Sequence, residues 1–173
     1  MLGRDTAAIA RLRAALAAAC YDAERFARAL GQAGYVPRAG DVPPALASLA
    51  ADDPLGVLIP LFLLEVPVPR PHLEGVVDVE QAAALGLVED GEEVRPLVRL
   101  VPSGGAVFAS DLEHGGGAEH VLGVTPSSVL LGNLTARGPV PRALDLGTGC
   151  GIQAYLLTRH AAGVVATDVN ARA

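Results

Sequence analysis

The residues best suited to chemistry lie near the end of the chain, in Ala143-Leu144-Asp145-Leu146-Gly147-Thr148-Gly149-Cys150-Gly151-Ile152-Gln153-Ala154-Tyr155-Leu156-Leu157. The pattern predicts a short buried strand, a glycine-rich turn and a helix, which together make a ligand-binding βα unit. Glycine suits such a turn because the backbone must reverse with unusual φ values and because a ligand can then lie against it with no Cβ in the way. The helix that follows directs free N–H groups and its positive dipole end at the same point. A second strand, Gly163 to Thr167, ends in Asp168, with Asn170 just beyond. Its carboxylate is thereby expected at the C-terminal sheet edge, where open α/β sheets bind their ligands. A carboxylate there can accept hydrogen bonds from both hydroxyls of an adenosine ribose, which makes Asp168 the leading single candidate for a site residue.

The run Asp145-x-Gly147-x-Gly149-x-Gly151, followed by an acid at the end of the next strand, resembles the class I methyltransferases that use S-adenosylmethionine. The resemblance implies a Rossmann-like α/β domain and a role for each residue. Gly147, Thr148, Gly149 and Gly151 would line the methionine portion of the cofactor. Asp145 would sit beside the turn and help hold the amino-acid end, Asp168 would bind the ribose, and Asn170 would flank the adenine side. The segment Gly123-Val124-Thr125-Pro126-Ser127-Ser128 and the leucine-rich helix after it are similar to the wall of the cofactor pocket in the small-domain N-methyltransferases. Those relatives methylate nitrogens of bases in RNA or DNA, or glutamine in translation release factors. The implied partner is thus a nucleic acid or a translation protein, and the implied reaction is in-line methyl transfer assisted by orientation and desolvation. Such a domain spans roughly 120 further residues, so the resemblance implies a domain cut short after its second strand, with no catalytic residue to name and weak cofactor binding by this stretch alone.

Two other readings compete. Gly149-x-Gly151-x-x-Ala154 also satisfies a variant dinucleotide fingerprint, as in an oxidoreductase, although that pattern leaves Asp145 and Gly147 without a task. A non-enzymatic binding module with a degenerate cofactor fold is the third.

Ahead of the glycine turn, the chain reads as a mainly helical domain over residues 1–110, a linker over 111–120, and the methyltransferase-like part over 121–173. Ile9, Leu12, Leu16 and Ala19 recur at helical spacing, as do Ala23, Phe26, Ala27 and Leu30 before Gly31 and Gly34. Further helices are expected after Pro43-Pro44, after Asp53-Pro54 through the apolar run Leu55–Val68, over Val79–Leu85 with Asp78 and Gln81 as a capping pair, and after Thr125-Pro126. Val94–Val101 and Ala106–Ala109 read as two strands around the turn Pro102-Ser103-Gly104-Gly105. Helices followed by a hairpin suggest a winged-helix-like domain. Arg95 and Arg99 on one strand face, with Leu97 between, offer phosphate contacts, but Glu89, Asp90, Glu92 and Glu93 favour a solvated strand edge instead.

Composition limits the function classes. All thirteen basic residues are arginine, and the formal charge is −6. Residues 1–38 hold six Arg against three acids, and 39–173 seven Arg against sixteen acids, a balance that argues against general phosphate-backbone binding. Cys20 and Cys150 make neither a disulfide framework nor a zinc set, which fits a reducing cytoplasm. Glu113, His114, Glu119 and His120 can ligate metals, but they flank a glycine loop without ligand spacing, so no metal is expected. Leu16–Cys20 faintly resembles a lipoprotein cleavage site, yet Arg11 and Arg13 interrupt the apolar core a leader needs. Leu55–Val68 is too short for a membrane span, which needs about 20 apolar residues, and it contains Pro60 and Glu65.

Overall fold

The computed structural model describes residues 5–31, 42–50, 53–113 and 116–173. Gly34, His114 and Gly115 lie outside the described residues. The chain divides into two units between Val107 and Phe108, and it mixes helices with small sheets. The stretch 111–120, expected as a linker, falls on the side of the second unit.

The first unit opens with α1 (Thr6–Ala18) and α2 (Ala23–Leu30). Asp5 and Asp22 cap them, each carboxylate accepting two backbone N–H groups of the first turn. Gly31 ends α2 at φ +73°, a left-handed position that glycine occupies without strain. Next come α3 (Val42–Ala47), with Pro43 and Pro44 in its first turn, and α4 (Leu55–Phe62). The apolar run was expected to stay helical to Val68, but it leaves the helix after Phe62. Pro67 and Pro69 bias the residues before them toward extended backbone, and Glu65 turns at φ +60°. The Val66 N–H then closes onto the Pro60 carbonyl across that turn.

Val68 therefore starts β1 (Val68–Pro69), not another helical turn, and a single 3₁₀ turn (Arg70–Leu73) leads to α5 (Val79–Ala84). Asp78 caps α5 by accepting the Gln81 N–H. β2 (Val88–Glu89) and β3 (Glu93–Pro96) follow, and the three strands form an antiparallel sheet in the order β1-β3-β2. The strand expected over Val94–Val101 is two strands. Pro96 cannot donate to a ladder, the Leu97 N–H still bonds the Leu87 carbonyl in register with the Val88–Pro96 pair, and after a bend at Leu97 and Val98 the chain re-enters as β4 (Arg99–Ser103), which pairs with β5 (Ala106–Ser110). The core of this unit is the buried face of α4 (Leu58, Ile59, Leu61 and Phe62) with Leu73 and Val94. Tyr21 stacks edge-on against Phe26 at 4.6 Å and donates its hydroxyl to the Leu100 carbonyl. Burial pushes its phenol far above the ordinary tyrosine range, against the pull of Arg99.

In the second unit, Thr125 and Ser128 form a reciprocal capping box that starts α6 (Pro126–Leu134). β6 (Ala143–Leu146), α7 (Ile152–Leu157) and β7 (Val164–Thr167) then make a β-α-β unit with parallel strands, Leu144 opposite Val165 and Leu146 opposite Thr167. The pairing is lengthened by a bridge between Val140 and Ala161. α6 lies close along α7 because Gly132 has no side chain: a Cβ there would come within 2.7 Å of Leu156 Cδ1. The Gln153 amide donates to the Ser128 carbonyl across the same helix pair. Phe108 meets Tyr155 edge-on at 5.6 Å, and Arg159 lies over the Tyr155 ring at 5.4 Å. Among the described residues, no helix is long and apolar enough to cross a membrane.

Candidate functional site

The sequence-predicted residues converge where β6 and β7 end. Parallel pairing carries Leu146 and Thr167 to the same edge, and the Gly147 and Thr148 N–H groups both donate to the Thr167 carbonyl, at 2.8 and 3.0 Å. The turn that follows has Gly147, Gly149 and Gly151 at φ +72°, +51° and +81°. A Cβ at Gly147 or Gly151 would meet nothing within 4 Å, so at these two positions backbone conformation, not crowding, calls for glycine, and the space over the turn stays open.

Asp145 is buried on the side of the strand that α7 covers. Its Oδ2 accepts the Thr148 hydroxyl at 2.7 Å and the Ala154 N–H at 3.0 Å. Gly151, at the head of α7, has no side chain to cap it. Asp145 supplies that missing cap from the preceding strand, and Thr148 is locked to it. Both residues are therefore fasteners of the turn. Cys150, inside the turn, is half-buried, and burial raises its thiol pKa, which keeps it away from the thiolate state a nucleophile needs.

Asp168 stands at the end of β7 with one carboxylate oxygen on each side of the opening. Oδ2 accepts the Gly149 N–H and Oδ1 the Asn170 N–H, both at 2.9 Å. The Asn170 and Gly149 amides hold its carboxyl below the ordinary range, against a small opposing desolvation, so it is ionised at neutral pH. Each oxygen keeps acceptor capacity for a further donor. The Asn170 side chain accepts the Arg172 N–H and so shapes the loop after β7.

Two residues that the motif did not single out complete the surroundings. Arg172 forks onto Asp111, Nη2 to Oδ1 at 2.7 Å and Nη1 to Oδ2 at 2.8 Å, and Nη1 also reaches the Glu119 carbonyl at 2.9 Å. Burial pushes the Asp111 carboxyl up, but Arg172 and the Val121 N–H outweigh it and the net shift is downward. The two partners are 61 positions apart, which no local pattern reveals. His120 Nδ1 lies 3.9 Å from Asp111. Among the described residues, no group of three His, Cys, Asp or Glu side chains is placed to hold a metal.

In the first unit Arg99 corrects the expectation of a solvated strand edge, and with it the phosphate contact weighed beside it. It is only 8% exposed, donates Nε–H to the Leu63 carbonyl and lies 3.8 Å from Glu65, so it secures the end of α4. Arg95 remains on the surface, beside Glu93. The same unit has a groove of about 350 Å³ between α1 and the 75–85 segment, lined by Leu12, Val76, Val77 and Leu85 with Arg11 and Asp78 at its polar positions.

Residues 18–99 match the family described as Domain of unknown function (DUF7059). The match covers just under half of the chain, lies within the first unit, and stops before the glycine turn. No curated protein matches the chain.

Proposed function

We propose that the second unit carries the cofactor-positioning turn of an S-adenosylmethionine-dependent methyltransferase of the small-domain, nitrogen-methylating kind, built on a Rossmann-like sheet. The observation that carries this reading is the Asp168 carboxylate, ionised and hydrogen-bonded to the Gly149 N–H, so that a ribose acceptor and an open glycine turn share one sheet edge. The fit to the cofactor rests on that acceptor and on the open space over Gly147 and Gly151. When bound, S-adenosylmethionine supplies an electrophilic methyl group on its sulfonium. The chain's own residues would orient it: Asp168 would hold the ribose hydroxyls and Asn170 would flank the base, while Asp145 and Thr148 fasten the turn. The methyl acceptor is a nitrogen, either on a nucleic-acid base or on a protein glutamine.

For the first unit we infer a winged-helix-like module that guides this acceptor. The succession α4, β1, 3₁₀ turn, α5, β2, β3 with sheet order β1-β3-β2 supports it. In this reading the wing is the β2–β3 hairpin, joined by the turn Asp90-Gly91-Glu92, and the later hairpin marked in the sequence, β4–β5 around Gly104-Gly105, follows it. Arg70 pairs there with Asp90 and Glu80, and Arg95 lies beside Glu93, but with Glu89 and Glu92 the acids still outnumber the two arginines, a net negative surface that favours a protein face over phosphate as its contact.

Because Asp145 has a structural task without any ligand, the dinucleotide reading must be separated by measurement. Calorimetric titration of the full-length protein with S-adenosylhomocysteine, with NADH as comparator, decides it. Micromolar binding of the homocysteine product that Asp168→Ala abolishes is expected. NADH binding instead supports the dinucleotide reading, and silence from both supports the non-enzymatic one.

A further inference from the structure

We infer that Asp111 and Arg172 are positioning residues for the Asp168 site, closing a ring of contacts around the glycine turn; the inference rests on the cofactor reading above. The ring can be followed atom by atom. The Gly149 N–H donates to Asp168, which also accepts the Asn170 N–H. The Asn170 side chain accepts the Arg172 N–H, and the Arg172 guanidinium forks onto Asp111. Asp111 accepts the Val121 N–H at 2.9 Å, while its own N–H donates to the Val121 carbonyl at 3.2 Å. The next residue, Leu122, brings the segment back beside the start by approach, not by a bond: its carbonyl oxygen lies 3.4 Å from where a Cβ on Gly149 would be.

Asp168 follows directly after β7, and the loop beyond it carries Arg172. The bidentate pair ties that loop to the segment 111–122, and the same segment passes along the turn, so acceptor and turn are held at one spacing. A planar guanidinium suits this task because two parallel bonds fix direction as well as distance, which an ammonium does not. By fixing that spacing the pair lessens the ordering that accompanies binding. Neither residue reaches the reacting atoms; each acts through Asp168 and Leu122.

The test uses the full-length protein, with S-adenosylhomocysteine calorimetry and amide hydrogen exchange on Arg172→Ala, Arg172→Lys and the reversed pair Asp111→Arg/Arg172→Asp. Arg172→Ala is expected to weaken binding about tenfold and to speed exchange of the Gly149 and Asn170 amides, leaving those of α7 unchanged. Arg172→Lys recovers part of the affinity, and the reversed pair recovers more than either of its single changes. Arg172→Ala binding as tightly as the unaltered protein, or unchanged exchange at Gly149, overturns the inference while leaving the cofactor reading intact. Faster exchange at Gly149 in a protein that never bound the homocysteine product upholds the clamp and removes the cofactor reading.

Discussion

Arg95 and Arg99 show how little residue type says about residue role. Both are arginines in a strand-rich stretch, yet one is solvated and the other lies under the end of α4, with its Nε–H on the Leu63 carbonyl and Glu65 beside it. Removing one partner of a buried pair leaves the other uncompensated, which costs about 3 kcal/mol. Arg99→Ala is therefore expected to lower the stability of the first unit by that amount in urea unfolding, whereas Arg95→Ala stays within about 0.5 kcal/mol. Equal midpoints for the two variants would refute the buried role. At the glycine turn the position is reversed. The glycine pattern and the resemblance it carries marked Asp145, Gly147, Thr148, Gly149, Gly151, Asp168 and Asn170, and the fold brings them around one sheet edge. A positive φ favours glycine, so a cluster of three such positions leaves its mark in composition, whereas the single left-handed turn at Glu65 leaves none. The Asp111–Arg172 pair was illegible because an ion pair across 61 positions leaves no local trace.

At the scale of elements, capping chemistry was the most readable signal. Asp78 and Thr125 each begin a helix with the side chain accepting a first-turn N–H, and Asp53, expected to cap α4, stands one residue before its Pro54 cap and accepts the Leu55 N–H. An N-cap acts within three residues, and so its pattern is local. Thr125→Ala is expected to cost about 1 kcal/mol of local stability. Hydrogen exchange of the last-turn amides of α6 should then speed about fivefold, and an unchanged rate would show that packing on α7, not the cap, sets its stability. Helix ends and strand breaks were less readable. The run Leu55–Val68 is apolar throughout, so periodicity could not mark the turn at Glu65 that converts its tail into β1. The break after Pro96 likewise falls inside a run of strand-forming residues, at the bend of Leu97 and Val98 where the chain leaves β2 for its pairing with β5.

Across each unit taken whole, burial separates two kinds of apolar surface. In the first unit the α4 side chains are enclosed. In the second, Leu144, Leu146 and Val165 share the sheet face opposite α7 and are 57%, 74% and 44% exposed. Parallel sheets are ordinarily covered on both faces, so this bare face is expected to make the 173-residue chain bind an apolar reporter dye in its folded state. Leu144→Ser with Leu146→Ser should halve the dye signal or better while shifting stability by no more than about 0.5 kcal/mol. A large loss of stability would mean that the two leucines are enclosed in solution.

By itself the sequence determined the local grammar: which stretches are helices, where they are capped, that a glycine turn joins a strand to a helix, and that an acid ends the strand after it. These follow from backbone conformation and from hydrogen bonds spanning a few residues, both set by neighbours along the chain. Only the tertiary structure decided that Arg99 is interior, that Asp145 caps α7 from the strand before it, and that Arg172 reaches back to Asp111. Those outcomes depend on which distant groups become neighbours and which lose water. Burial and long-range pairing are properties of the packed chain, so they have no signature in the order of residues alone.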